Sequence, residues 1–131
     1  GGPWSRVCAL PAFWTGILYD EEILDQVSNM IKPWSYEQVK NFYEEVRING
    51  FNSFTPDKEN LKNFSKKIID LSSVGLKKRN IENSGKTEDY FLEPLIEIIN
   101  SGESPAEKWK KLYLNQWSNN IDMLYTNNYF K

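Results

Sequence analysis

The chain has 131 residues, 40% of them hydrophobic and 26% charged, a balance that supports one domain with a packed core and argues against disorder. Its net charge of −2, from 16 Lys and Arg against 18 Asp and Glu, gives no electrostatic ground for nucleic acid or an anionic membrane as partner. With no histidine and one cysteine, the commonest general base, a Cys-based zinc site and an internal disulfide framework are all excluded.

The first segment differs in kind from the rest. Gly1-Gly2-Pro3 is a turn signal at the entrance to a helical run. Trp4 and Arg6 follow, an aromatic face and a planar cation able to hold a carboxylate or phosphate by two hydrogen bonds. Cys8 to Asp20 is apolar almost all round, yet the longest apolar run, Val7 to Tyr19, falls short of the ~20 residues of a membrane helix and contains Pro11 and Gly16. No basic region or initiator Met precedes it, so it does not read as a signal peptide. A helix apolar on every side is buried on every side, which predicts that Gly1–Asp20 belongs to the interior of a larger folded protein. Cys8 on this segment reads as a buried, inert thiol, with a redox cysteine as the minority reading.

The remaining periodicity is helical. Asp20 is an N-cap for a stripe of Ile23, Leu24, Val27, Met30 and Ile31, which Pro33 ends. Ser35 and Gln38 form a capping-box pattern before Val39, Phe42, Tyr43 and Val46, and Asn49-Gly50 stops that helix. Thr55-Pro56-Asp57 reads as the start of a third helix, with the stripe Leu61, Phe64, Ile68, Leu71 and Gly75. Gly75 suits close approach by another element. The run Lys77-Lys78-Arg79 reads as a charged helix end rather than a nucleic-acid contact. Residues 80–87 read as a polar loop. Helices follow over Tyr90–Ile99, begun or interrupted at Pro94 and ended by Gly102, and from Ser104-Pro105-Ala106-Glu107, with a short last helix over Ile121–Tyr129. No convincing strand is visible.

The expected fold is therefore mainly α, with six or seven short helices. Of the chemistry-bearing patterns there is little: no Gly-rich phosphate loop, no nucleophile elbow, no metal-spaced cluster. Glu21-Glu22 and Glu44-Glu45 read as solvated charges, and Trp109, Tyr113 and Trp117 as core. Thirteen Lys against three Arg, with many Asn and Ile, suggests an AT-rich coding genome, and with the single cysteine this points to a bacterial cytosol.

The pattern Gly1-Gly2-Pro3-Trp4-x-Arg6-x-Cys8-Ala9-Leu10-Pro11-Ala12-Phe13-Trp14-x-Gly16-x-Leu18-Tyr19-Asp20 closely resembles the signature that opens the C-terminal part of glutamate–cysteine ligases of the plant and proteobacterial type. The resemblance continues through Gly75-Leu76 with Arg79, Leu92 with Pro94-Leu95, Ser104 to Glu107, and Tyr113 to Trp117. Asn115 departs from it, where the family is expected to have Gly, and the loop 80–87 looks longer than usual.

The resemblance implies that residues 1–131 are one helical region of a larger α+β ligase of the glutamine-synthetase-like kind. Residues 1–20 would lead out of the catalytic core, and 21–131 would form a helical array. The parent enzyme would join L-glutamate to L-cysteine with ATP and Mg2+, through a γ-glutamyl phosphate, in the first step of glutathione synthesis. Its metal ligands and most ATP contacts would lie upstream, in the catalytic core of the same chain. Pro3, Trp4 and Arg6 would border the active site, or else form a turn with a Trp packed beneath the sheet. In plant members a cysteine matching Cys8 can join a regulatory disulfide to an upstream cysteine. The alternative from a different class is a self-contained helical interaction module without catalysis.

Overall fold

The computed structural model of the protein describes residues 4–126. The turn expected over Gly1–Pro3, and the end of the helix expected over Ile121–Tyr129, lie outside the described residues. The mainly α expectation is met. Seven helices are described: α1 (Trp4–Leu18), α2 (Glu21–Ile31), α3 (Tyr36–Asn49), α4 (Leu61–Arg79), α5 (Glu93–Ser101), α6 (Pro105–Asn115) and α7 (Met123–Thr126). Two 3-10 turns, Gly50–Asn52 and Glu88–Leu92, lie between them.

Local chemistry sets most helix starts. Asp20 accepts from the Ile23 amide at 3.0 Å and caps α2. Both capping boxes close, Ser35 with Gln38 ahead of α3 and Ser104 with Glu107 ahead of α6. Gly102, at φ 67°, ends α5 in the left-handed geometry.

Two expectations are corrected. The helix read from Thr55 begins at Leu61, capped by Asn60, whose side chain accepts from the Lys62 amide at 3.0 Å. Thr55 instead closes a turn: its carbonyl accepts from Lys58 at 2.8 Å and its hydroxyl from Glu59 at 3.1 Å, while Phe54 pairs with Asn60. Thr-Pro-Asp suits a tight turn as well as a helix start, and the second cap five residues on wins. The loop 80–87 carries a small hairpin, β1 (Glu82–Asn83) against β2 (Lys86–Thr87). Ser84 and Gly85 both take positive φ, 55° and 77°, as a two-residue hairpin loop requires.

The 19-residue α4 is the axis of the fold, touching α1, α2, α5 and both 3-10 turns. The core is Ala12, Ile69, Leu76, Leu92 and Ile99, with Phe13, Phe51, Phe91 and Leu95 packed on it. Trp34 ties α3 to α4 through Phe42 and Phe64, with ring centroids 5.7 and 5.4 Å away. Its indole N–H donates to Asp57.

Where α1 crosses α4, the helices meet backbone to backbone. A β-carbon on Gly75 would lie 1.8 Å from the Gly16 carbonyl oxygen, and one on Gly16 would lie 2.2 Å from the Ser72 carbonyl oxygen. The fully buried Ser72 hydroxyl donates to the Phe13 carbonyl at 2.9 Å. The close approach read at Gly75 is thus present, with Gly16 as its partner. The all-round burial expected of α1 is not reached within this chain. Ala9, Ala12, Gly16 and Ile17 are buried, whereas Trp4, Val7, Leu10, Trp14 and Leu18 stay exposed. Among the described residues, α2, α4, α5 and the 88–92 turn pack against it and leave that face open.

Substituting Gly75→Ala is expected to destabilise the chain by roughly 1–3 kcal/mol or more, because no flexible side chain can yield to the new methyl group. Gly85→Ala meets no neighbouring atom and suffers only its positive φ, about 1–2 kcal/mol. Urea unfolding of the two variants beside the parent chain checks the order; an equal or smaller loss at Gly75 would contradict the crossing.

Candidate functional site

Of the sequence-predicted site residues, Pro3 lies outside the described residues, and Trp4, Arg6 and Cys8 fall on the first two turns of α1. Residues two apart on a helix point about 200° apart, so Trp4 and Arg6 cannot share a face, whereas Cys8 lies one turn beyond Trp4 on the same side. Trp4 is 80% exposed. With Ser5 and Cys8 it borders a shallow depression of about 330 Å³ whose other wall is Tyr90, Phe91, Glu93 and Pro94. Cys8 is a half-buried free thiol. It also borders a second depression of about 330 Å³, between α1 and Glu88, Leu76 and Phe91. The structure therefore joins Trp4 with Cys8 and separates both from Arg6.

Sequence reasoning missed the other wall. Tyr90 and Phe91 stack at 4.1 Å between centroids, and the Lys86 ammonium stands 5.5 Å over the Tyr90 ring. These residues lie some eighty positions away, on a 3-10 turn that no periodicity marks. Arg6 is half-buried and makes no ion pair among the described residues, whereas Arg47 pairs with Glu44 and Arg79 with Glu88. Its guanidinium is available to an outside carboxylate or phosphate.

The basic run is fully engaged. Lys77 reaches Asp89 at 3.2 Å, and Lys78 bridges Asp20 at 3.2 Å and Glu22 at 2.6 Å. Arg79 pairs with Glu88 at 3.3 Å and lies 5.0 Å over the Tyr19 ring. These cations pin the end of α4 to the start of α2 and to the 88–92 turn, as the charged-helix-end reading expects. Asp20's carboxyl is held below the usual aspartate range by the Ile23 amide first, against some desolvation, and then by Lys78. Lys78 is raised, first by Glu22 and then by Asp20.

The family model of glutamate-cysteine ligase family 2 matches residues 1–127. The chain belongs to glutamate-cysteine ligase family 2. Among curated relatives, glutamate–cysteine ligase, chloroplastic, of Medicago truncatula is 36% identical over 95% of this chain and 23% of its own length. Glutamate–cysteine ligase A, chloroplastic, of Oryza sativa subsp. indica is 36% identical over 95% of this chain and 24% of its own. The chloroplastic enzyme of Nicotiana tabacum is 36% identical over 95% and 23%. The chain thus spans about a quarter of the length of these ligases. Their names also overturn the bacterial cytosolic origin expected from composition, since these are plant enzymes of the chloroplast. A Lys-to-Arg ratio reflects codon usage and is no physical mark of compartment, and one cysteine is too small a sample to report redox surroundings.

The lowered pKa of Asp20 fixes a sign. Its cap on α2 is at full strength above the unfolded aspartate value of about 3.9 and is lost as pH falls through the lower folded value. Lys78→Met should move the Asp20 midpoint upward while leaving it below the ordinary value, because the Ile23 amide remains. Carboxyl-carbon NMR titration of both proteins reads this directly, and an unmoved midpoint would mean that the Lys78 bridge is not formed in solution.

Proposed function

We propose that this chain is part of an ATP-dependent glutamate–cysteine ligase, catalysing the first step of glutathione synthesis in a plastid. The family match over residues 1–127 carries this reading. In the proposed reaction, ATP phosphorylates the side-chain carboxylate of L-glutamate, releasing ADP. The amine of L-cysteine then attacks the acyl carbon, the C–N bond forms as the C–O bond to phosphate breaks, and the amine loses a proton. Such chemistry rests on positioning and on stabilising charge on the transferred group.

The part assigned to this chain is a helical wall beside the substrates. Pro3, Trp4 and Arg6 are its proposed bordering residues, with Trp4 and Arg6 reaching the substrates from different faces of α1, and Arg6 suits a substrate carboxylate or phosphate because no acidic side chain among the described residues neutralises it. Mg2+ is proposed as the parent enzyme's cofactor. Among the described residues, no group of three or more Cys, Asp or Glu could hold a metal ion, so the residues present do not fit that role. The metal ligands and most contacts to ATP belong, on this reading, to the rest of the enzyme.

The 131-residue chain alone should show no turnover of glutamate, cysteine and ATP. A chimera in which it replaces the matched stretch of the Medicago truncatula enzyme should be active. In that chimera, Arg6→Ala should lower kcat/KM by roughly 10–100-fold, with Arg6→Lys recovering part of the loss. Coupled assay of ADP release checks each expectation. Turnover by the chain alone, or an Arg6→Ala chimera as active as its parent, would overturn the assigned role.

A further inference from the structure

The chain has a single Asn-Gly step, Asn49-Gly50, and it falls where α3 ends. Gly50 has no side chain to shield its backbone nitrogen, and Asn49 is exposed, with a side chain that makes no capping hydrogen bond. A carboxamide carbon next to an unshielded amide nitrogen is an electrophile held beside a nucleophile. Two features of the fold keep them from reacting. The Gly50 N–H donates to the Val46 carbonyl, and Asn49 sits at ψ −8°, from which its backbone must rotate before the nitrogen reaches the side-chain carbon. That restraint is light. Among the described residues no side chain of α3 is buried, Ile48 beside the step is 72% exposed, and helix ends fray first.

Across from the step lies the start of α6, over a cleft of about 360 Å³ lined by Gly50, Ser104 and Glu107. A β-carbon on Gly50 would lie 3.4 Å from both carboxylate oxygens of Glu107, so a charge gained at this step would stand close to that acid. Glu107 is the acid of the α6 capping box, and its carboxylate accepts from the Ser104 amide at 2.7 Å. Arg47, in the last turn of α3, is already paired with Glu44 at 2.8 Å.

We infer that Asn49 is a site of spontaneous deamidation gated by the last turn of α3, and that the charge it creates loosens the start of α6. When that turn opens, the Gly50 nitrogen gives its proton to hydroxide and attacks the side-chain carbon of Asn49. The ring C–N bond forms, the C–N bond to the carboxamide nitrogen breaks, and that nitrogen leaves as ammonia with a proton taken from water. Water then opens the cyclic imide at one of its two carbonyls, leaving aspartate or isoaspartate, with no oxidant or reductant needed. Either product is an anion at the C-terminal end of α3, where the helix dipole disfavours it, and it stands near Glu107. The inference does not depend on the ligase reading.

The test is peptide mapping by mass spectrometry, which follows each Asn of the 131-residue chain during incubation at mildly alkaline pH, folded in buffer and unfolded in urea. In the folded chain Asn49 should convert faster than Asn63 or Asn100, which lie within α4 and α5 and precede residues with side chains. It should convert roughly 5–30-fold more slowly than in urea, the ratio set by the hydrogen bond and helical turn that must open. Equal rates at the three residues would overturn the site, and equal rates folded and unfolded would overturn the gate. Asn49→Asp reads the consequence. Carboxyl-carbon NMR titration should place the Glu107 midpoint higher in Asn49→Asp than in the parent chain, while that of Asp20, at the start of α2, should not move. Glu107→Gln keeps the capping box and should remove most of the stability loss caused by Asn49→Asp. An unmoved Glu107 midpoint would overturn the coupling of α3 to α6. If Asn49→Asp does not fold, the midpoint is read in the aged parent chain, where the new carboxylate forms after folding.

Discussion

The backbone contact between Gly16 and Gly75 governs the rest of the molecule. No β-carbon fits at either position, so α1 and α4 approach more closely than side-chain packing permits. That closeness brings the Phe13 carbonyl within reach of the buried Ser72 hydroxyl. It also decides which residues of α1 can face inward. Ala9, Ala12 and Gly16 are small enough for the crossing, and Ile17 is buried beside them. Phe13 turns toward the core beside Leu95, while Trp4, Val7, Trp14 and Leu18 are driven outward. The tight crossing and the exposed stripe are therefore one constraint seen from two sides.

With α1 and α4 fixed, the end of α4 becomes the place where other elements are anchored. Lys77, Lys78 and Arg79 lie in its last turn, where the helix dipole favours cations. Each ion pair there is partly solvated and contributes little by itself. Together they select one placement of the α2 start and of the 88–92 turn. That turn supplies Tyr90 and Phe91, which wall the depression shared by Trp4 and Cys8. The run that could suggest nucleic acid thus organises the region around α1 instead.

Features set by neighbours in sequence were legible there. Asp20, Ser35 and Ser104 cap helices because the groups they bind lie within three residues. Thr55 was misread because Asn60, close by, offers a second cap and the turn between them is satisfied by its own hydrogen bonds. The hairpin within the loop 80–87 is not legible in the sequence, because two-residue strands leave no alternation to read. At the candidate site, Gly75 announced a close approach, yet nothing local named Gly16 as its partner. The pairing of Trp4 with Tyr90 and Phe91 was equally invisible. The separation of Trp4 from Arg6, by contrast, follows from helical geometry once α1 is known to begin at Trp4.

An all-round apolar helix implies burial, and α1 achieves only half of it within these residues. Covering the exposed Trp4, Val7, Leu10, Trp14 and Leu18 would contribute on the order of 1 kcal/mol each. The resulting ~5 kcal/mol is comparable to the 5–15 kcal/mol that holds a typical domain folded. An imbalance of that size is not a surface detail. It means that the composition of α1 is matched to two partners, one at backbone distance through glycine and alanine, the other at side-chain distance through tryptophan and leucine. The first partner is α4. Among the described residues nothing covers the other face, and Trp4 and Trp14 stay exposed.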